Sequence, residues 1–219
     1  MSFFWFLVSS FWFLLSMLAP LLRLFPDLAD LPPGTYAVGG VVRDLLLGRP
    51  PADADLACCD PLACAESLAR KRRRKVIRLG KDVLTAYRVV AGRHVYDFAA
   101  IQGDGIAADL SRRDFTINAM AIDLGSGALL DPFDGARDIE RRVIRMIRAG
   151  NFDDDPLRLL KAARMAMTTG FSIDDATLAA IRERASAIES IAAERAGDEL
   201  AIMFSQQRLR QALTLLVAP

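Results

Sequence analysis

The sequence predicts an α+β head domain with a mixed β-sheet, followed by an all-helical neck. From Phe25 to about Leu130, short β-type runs alternate with helical patches, which argues for strands and helices packed in one domain. From about Asp138 onward apolar residues recur at spacings of three and four, with no comparable strand runs. A chain of 219 residues is long enough for one domain or two small ones with real cores.

The elements follow in order. Residues 1–22 carry no charge, the first charged residue being Arg23, and they hold both tryptophans, Trp5 and Trp12. The run Phe4-Trp5-Phe6-Leu7-Val8 is echoed by Phe11-Trp12-Phe13-Leu14-Leu15. About 20 apolar residues suffice to cross a bilayer as a helix, but no basic stretch precedes them, which argues against a signal peptide. Three readings stay open: a membrane anchor, a greasy helix buried against a partner, or sequence upstream of a start at Met17. A chain begun at Met17 is expected to fold, with Leu18–Leu28 as a short helix. The head, residues 23–137, offers strands at Tyr36–Val38, Asp55–Ala57, Val76–Leu79, Thr85–Val90, His94–Ala99 and Ile117–Leu124. In the neck, residues 138–219, Asp153, Asp154, Asp155 and Pro156 suit the start of a helix and Gly170 its end. Leu157-Leu160-Ala163-Met167 marks the buried stripe of that helix, and Leu178-Ile181-Ala185-Ile188-Ile191 that of the next.

A net charge of +1 excludes a globally basic nucleic-acid coat. Three cysteines and one histidine, His94, exclude a disulfide scaffold or a zinc ribbon. Cys58, Cys59 and Cys64 read as reduced, buried small hydrophobes of a cytoplasmic protein. Arg70-Lys71-Arg72-Arg73-Arg74-Lys75 reads as a solvated helix end before it reads as an RNA contact.

The chemistry concentrates in Tyr36-Ala37-Val38-Gly39-Gly40-Val41-Val42-Arg43-Asp44, followed by Asp53-Ala54-Asp55. A strand entering a Gly-Gly turn and a helix exposes backbone N–H groups to an anion such as a phosphate. On a strand, Asp53 and Asp55 project to one side. Paired carboxylates of that kind call for a cation, and hard magnesium suits oxygen donors. Taken alone, the two aspartates read more readily as turn residues after Pro50-Pro51.

Together, G-G-x-V-R-D-x-L-L-G-R and D-x-D resemble the class II tRNA nucleotidyltransferases, the CCA-, CC- and A-adding enzymes, and the related bacterial poly(A) polymerases. Further motifs stand in the family's order. Val95-Tyr96-Asp97-Phe98-Ala99 resembles the strand with a third carboxylate, which implies a magnesium site of Asp53, Asp55 and Asp97. Arg112-Arg113-Asp114-Phe115-Thr116-Ile117-Asn118-Ala119 resembles the motif implied to hold ribose and triphosphate. Asp131-Pro132-Phe133-Asp134-Gly135, with Asp138-Ile139 and Ile144-Arg145, resembles the head-to-neck link. Asp154-Asp155-Pro156-Leu157-Arg158, with Lys161 and Arg164, resembles the nucleotide-recognition helix. Glu194-Arg195 with Glu199 resembles the E-R-x-x-x-E element, although on an exposed helix face these residues read as solvated ion pairs without a chemical role.

The resemblance implies magnesium-dependent addition of CMP or AMP, from CTP or ATP, to the 3′ end of RNA, tRNA first, with release of pyrophosphate. Gly39, Gly40, Arg43, Arg112, Arg113, Asp114, Asn118, Asp155, Arg158, Lys161 and Arg164 would bind the nucleotide. Asp155 and Arg158, three apart on a helix, would be neighbours. An acceptor beside a donor matches the amino group and ring nitrogen shared by cytosine and adenine and mismatches uracil and guanine. Lys161 and Asp154 replace the usual arginine and glutamate, and the body and tail regions that grip RNA do not follow the neck. The alternatives are a head-neck module that binds nucleotide or RNA without catalysis, a poly(A) polymerase, and a small-molecule nucleotidyltransferase.

Overall fold

The computed structural model describes residues 17–80 and 85–205. Of the N-terminal run of residues 1–22, to which the three readings apply, residues 1–16 lie outside the described residues, as does the end of the neck. Among the described residues no helix is long and apolar enough to cross a membrane. Two compact units form, one from the chain up to Ser111 together with Asn118–Phe133, the other from Arg112–Ile117 and the chain from Asp134 on.

The first unit opens with helix α1 (Leu18–Leu24), which ends before Pro26; a 3-10 turn covers Pro26–Asp30. A single helix over Leu18–Leu28 is therefore replaced by two pieces, because proline cannot donate inside a helix. Met17, Leu21, Phe25 and Leu28 are buried along this segment, so it belongs to the core of the unit. There follow β1 (Tyr36–Val38), α2 (Gly40–Leu46), β2 (Asp53–Cys58), α3 (Pro61–Arg72), β3 (Val76–Leu79), β4 (Ala86–Ala91), β5 (His94–Ala100), α4 (Ile106–Ser111), β6 (Ala121–Asp123) and β7 (Leu129–Leu130). The seven strands form one sheet in the order β3-β4-β5-β2-β1-β6-β7. Only β2 and β5 run parallel; the other neighbours are antiparallel.

Alternation assigns the faces. Ala54, Leu56, Val89, Tyr96 and Phe98 are buried on the face that packs against α3. Their neighbours Asp53, Asp55, Arg88 and Asp97 point to the opposite face. The Ile117–Leu124 run splits into a 3-10 turn at Thr116–Asn118 and a strand only at Ala121–Asp123. A largely apolar run without alternation carries no period to fix a strand, and all of it except Asn118 is buried as far as Ile122. The three cysteines are free, but Cys59 is exposed, contrary to the expectation of three buried thiols, because it follows the end of β2. Burial, with Cys64 beside it, pushes the Cys58 thiol well above its ordinary range, so it stays protonated and inert.

The second unit contains α5 (Gly135–Arg141), β8 (Val143–Ile144), α6 (Gly150–Asp154), α7 (Leu157–Thr169), β9 (Ser172–Ile173), α8 (Asp175–Glu183) and α9 (Ala193–Ser205). It is helical apart from the short parallel pair β8–β9. Leu157, Leu160, Ala163 and Met167 form its core with Met203, as their spacing predicts. Gly170 ends α7 in the left-handed conformation, with φ +76°. The second stripe does not lie on one helix: α8 stops at Glu183, and a 3-10 turn at Ala185–Ser190 lets Ile188 and Ile191 pack on the same cluster. Phe115 and Phe152, both fully buried, tie the Arg112–Ile117 segment into this unit with ring centres 6.2 Å apart.

Candidate active site

The carboxylates of the first unit are placed by strand register. On β2, Asp53 and Asp55 are exposed while Ala54 and Leu56 between and beyond them are buried. Parallel pairing sets Asp55 directly opposite Asp97 on β5. Antiparallel pairing sets Arg88 of β4 opposite Asp97 on its other side. Arg88 grips Asp97 with two hydrogen bonds: its Nε donates to Oδ1 at 2.7 Å and its Nη2 to Oδ2 at 2.6 Å. The pair with Asp97, chiefly through these hydrogen bonds, pushes the Arg88 guanidinium above its ordinary pKa, and the charges of Asp53 and Asp55 add to the effect.

Hard oxygen donors on one open sheet face fit a hard divalent cation, and Asp53 with Asp55 supplies two of them. Among the described residues, no three His, Cys, Asp or Glu side chains close on one metal-sized point. The side chain of Asp97 faces Arg88 with both oxygens engaged.

Beside the carboxylates, Gly39 has φ +74° and ψ −126°, a backbone conformation that requires glycine, and it opens α2. Its N–H donates to the Met120 carbonyl at 3.2 Å, which anchors the turn to the sheet. A Cβ at Gly40 would meet only the Arg43 guanidinium, at 3.6 Å, which is ordinary contact. Arg43 folds back over this turn. It donates to both oxygens of Asp44, at 2.9 and 3.0 Å, and through Nη1 to the Asn118 side-chain oxygen at 2.6 Å. Arg43 and Asn118, 75 residues apart in the chain, are thus brought together by the fold.

In the second unit, Arg112 is exposed while Arg113 and Asp114 are half-buried. The Arg113 carbonyl accepts from the Asn151 amide at 2.6 Å, and Asp114 Oδ1 accepts from the Phe115 N–H at 2.7 Å. The buried Asp138 carboxylate accepts from Thr116 Oγ1 at 2.6 Å and from Arg145 Nε at 2.9 Å, locking the motif to β8. On α7, Arg158, Lys161 and Arg164 form a half-exposed line on a helix whose other faces are buried.

Asp155 does not share that helix. It is extended, with φ −148° and ψ 96°, at the joint where α6 ends, so the expected three-residue helical spacing to Arg158 is absent. Asp153 and Asp154 end α6 instead of preceding α7. Arg158 Nη1 donates to the Asn151 carbonyl at 2.9 Å, while both Asp155 oxygens receive Arg195 Nη2 at 3.2 Å. Glu199, buried, pairs with Arg164. The E-R-x-x-x-E residues are therefore not all merely solvated: Arg195 pairs with Asp155 and Glu199 with Arg164, whereas Glu194 is exposed. Sequence reasoning named Arg195 and Glu199 but gave them no role, because their partners lie 40 and 35 residues away, and it did not single out Arg88.

A strand–Gly-Gly–helix turn beside a D-x-D strand, followed by a helical unit with a cationic stripe, defines a nucleotidyltransferase-type head and neck. Residues 35–145 match the family described as "Poly A polymerase head domain", and residues 170–218 match "Probable RNA and SrmB- binding site of polymerase A". The chain belongs to the poly A polymerase head-domain family. It is 40% identical over 195 residues to the CC-adding tRNA nucleotidyltransferase of Synechocystis, covering 87% of this chain and 47% of that protein. It is 39% identical over 201 residues to the A-adding tRNA nucleotidyltransferase of Deinococcus radiodurans, covering 89% of this chain and 46% of that one. Its fold matches the Thermotoga maritima CCA-adding enzyme complexed with tRNA at a TM-score of 0.74 and 33% identity, over 82% of this chain and 45% of that one. The chain thus spans about half the length of the curated relatives it matches.

Proposed function

We propose that the chain is the head and neck of a template-independent RNA nucleotidyltransferase. It transfers CMP or AMP from CTP or ATP to the 3′ end of RNA, tRNA first, and releases pyrophosphate, in the cytoplasm. The observation that carries this reading is the register of Asp53 and Asp55 on an open sheet face, with Asp97 directly opposite Asp55 and the Gly39-Gly40 turn on the neighbouring strand. The names of the relatives support tRNA, and the CC- and A-adding pair supports CTP and ATP.

Asp53 and Asp55, with Asp97 as the third carboxylate, would hold the divalent cation, magnesium by the hardness of the donors. Bound there, it supplies charge neutralisation on the triphosphate and a more acidic 3′-hydroxyl. The chain's own groups do the rest. Gly39 and Gly40 leave room for a phosphate against the backbone, since nothing in the chain's packing demands glycine at 40. Arg43 fixes Asn118, and Arg112, Arg113 and Asp114 offer ribose and triphosphate contacts. Lys161 and Arg164 continue the cationic line from Arg158. Asp155 and Arg158 present acceptor and donor to the base and disfavour uracil and guanine by leaving polar groups unpaired. Arg195 and Glu199 hold Asp155 and Arg164 in place.

The test is transfer of label from radioactive CTP or ATP to tRNA lacking its 3′ CCA. The parent chain is expected to label the RNA, and Asp53→Ala and Asp55→Ala each to lose it. A chain that binds nucleotides yet labels no RNA would favour a binding module instead, a reading motivated by its match to half the length of its relatives.

A further inference from the structure

Arg88, Asp97 and Asp55 occupy one row across three adjacent strands. Register pairs Arg88 with Asp97 and Asp97 with Asp55. The same row continues to Ile77 on the edge strand β3. Alternation sends all of these side chains to the face that carries Asp53. The Arg88 fork is bidentate on Asp97, at 2.7 and 2.6 Å, and the carboxylate is 18% exposed against 38% for the guanidinium. Bidentate guanidinium–carboxylate pairs are among the stronger hydrogen-bonded contacts in proteins. Arg88 also feels Asp53 and Asp55, both of which raise its affinity for the proton.

An arginine so placed is drawn to the same carboxylates as a divalent cation would be, and it cannot give up its charge by deprotonation. The two compete for one set of oxygens. We propose that Arg88 is a positioning residue acting through Asp97: it fixes the plane of that carboxylate and competes with the divalent cation for it, keeping free-cation binding weak. The proposal rests on the reading of Asp53 and Asp55 as cation ligands. Its consequence is that removing Arg88 strengthens cation binding, the reverse of what loss of a purely orienting residue would do.

Manganese, followed by electron paramagnetic resonance, is the probe. Replacing Asp53 and Asp55 by Asn tests the underlying reading: both changes should abolish binding, and retained binding would reject that reading independently of Arg88. Arg88→Met should bind Mn2+ about tenfold more tightly than the parent, the size expected when one unit charge leaves the immediate neighbourhood of a dication. Arg88→Gln, also uncharged but able to donate one amide hydrogen bond to Asp97, should move in the same direction and guards against a packing defect peculiar to methionine. Arg88→Lys, which keeps the charge, should stay within about threefold of the parent. Unchanged or weaker binding in both uncharged variants would overturn the proposal.

Discussion

In the first unit Asp53, Asp55 and Asp97 are set out by strand register on one face of the sheet; in the second, Asp155, Arg158 and Arg164 sit at and along α7 and are held by groups of the same unit. Asp53 and Asp55 are exposed, and Asp97 is gripped by Arg88. In the neck, by contrast, Asp155 is met by Arg195, Arg164 by Glu199, and Arg158 by a backbone carbonyl. The first arrangement suits ligands that bring their own charge, such as a metal with a triphosphate. The second suits a site that must keep a fixed hydrogen-bond pattern while it reads a neutral base. On the proposed function, chemistry and selection are built from different materials, and changes in one unit should leave the other's contribution standing.

The largest expected effect on stability comes from Phe152→Ala, which removes a fully buried ring packed on Phe115. It should destabilise the neck by about 3–5 kcal/mol in denaturant unfolding. Reversing polarity with Asp155→Arg and Arg158→Asp together should lower activity with C and A relative to U and G by about a hundredfold, measured as kcat/KM ratios. An unchanged ratio would show that other groups read the base. Asp138→Asn weakens a buried acceptor of Thr116 and Arg145 and should cost about 1–2 kcal/mol, read from thermal melts, with base preference intact. The smallest effect belongs to Arg195→Ala. Its pair with Asp155 is 55% exposed on the arginine side, so stability should fall by no more than about 0.5 kcal/mol. Discrimination by Asp155 should loosen only a few-fold.

The contrast also explains what the sequence disclosed. Strands β2 and β5 were legible because alternation and their polar members Asp53, Asp55 and Asp97 agree with a half-covered sheet. The core stripe Leu157-Leu160-Ala163-Met167 was legible for the same reason at helical period. Asp155 was misplaced on a helix although it precedes Pro156, and a residue before proline is pushed toward extended backbone. The roles of Arg88, Arg195 and Glu199 depend on pairings between segments, which local pattern does not encode. Asn118 was singled out by its motif, but its tie to Arg43 is a product of the fold.

The division of labour between the units is tested most directly by nucleotide binding to Asp55→Ala, followed by calorimetry with each of the four nucleoside triphosphates. The account predicts that this variant no longer labels RNA yet still binds CTP and ATP in preference to UTP and GTP, because Asp155 and Arg158 are untouched. A variant that loses both transfer and preference would contradict it, since base choice would then depend on the carboxylates of the sheet.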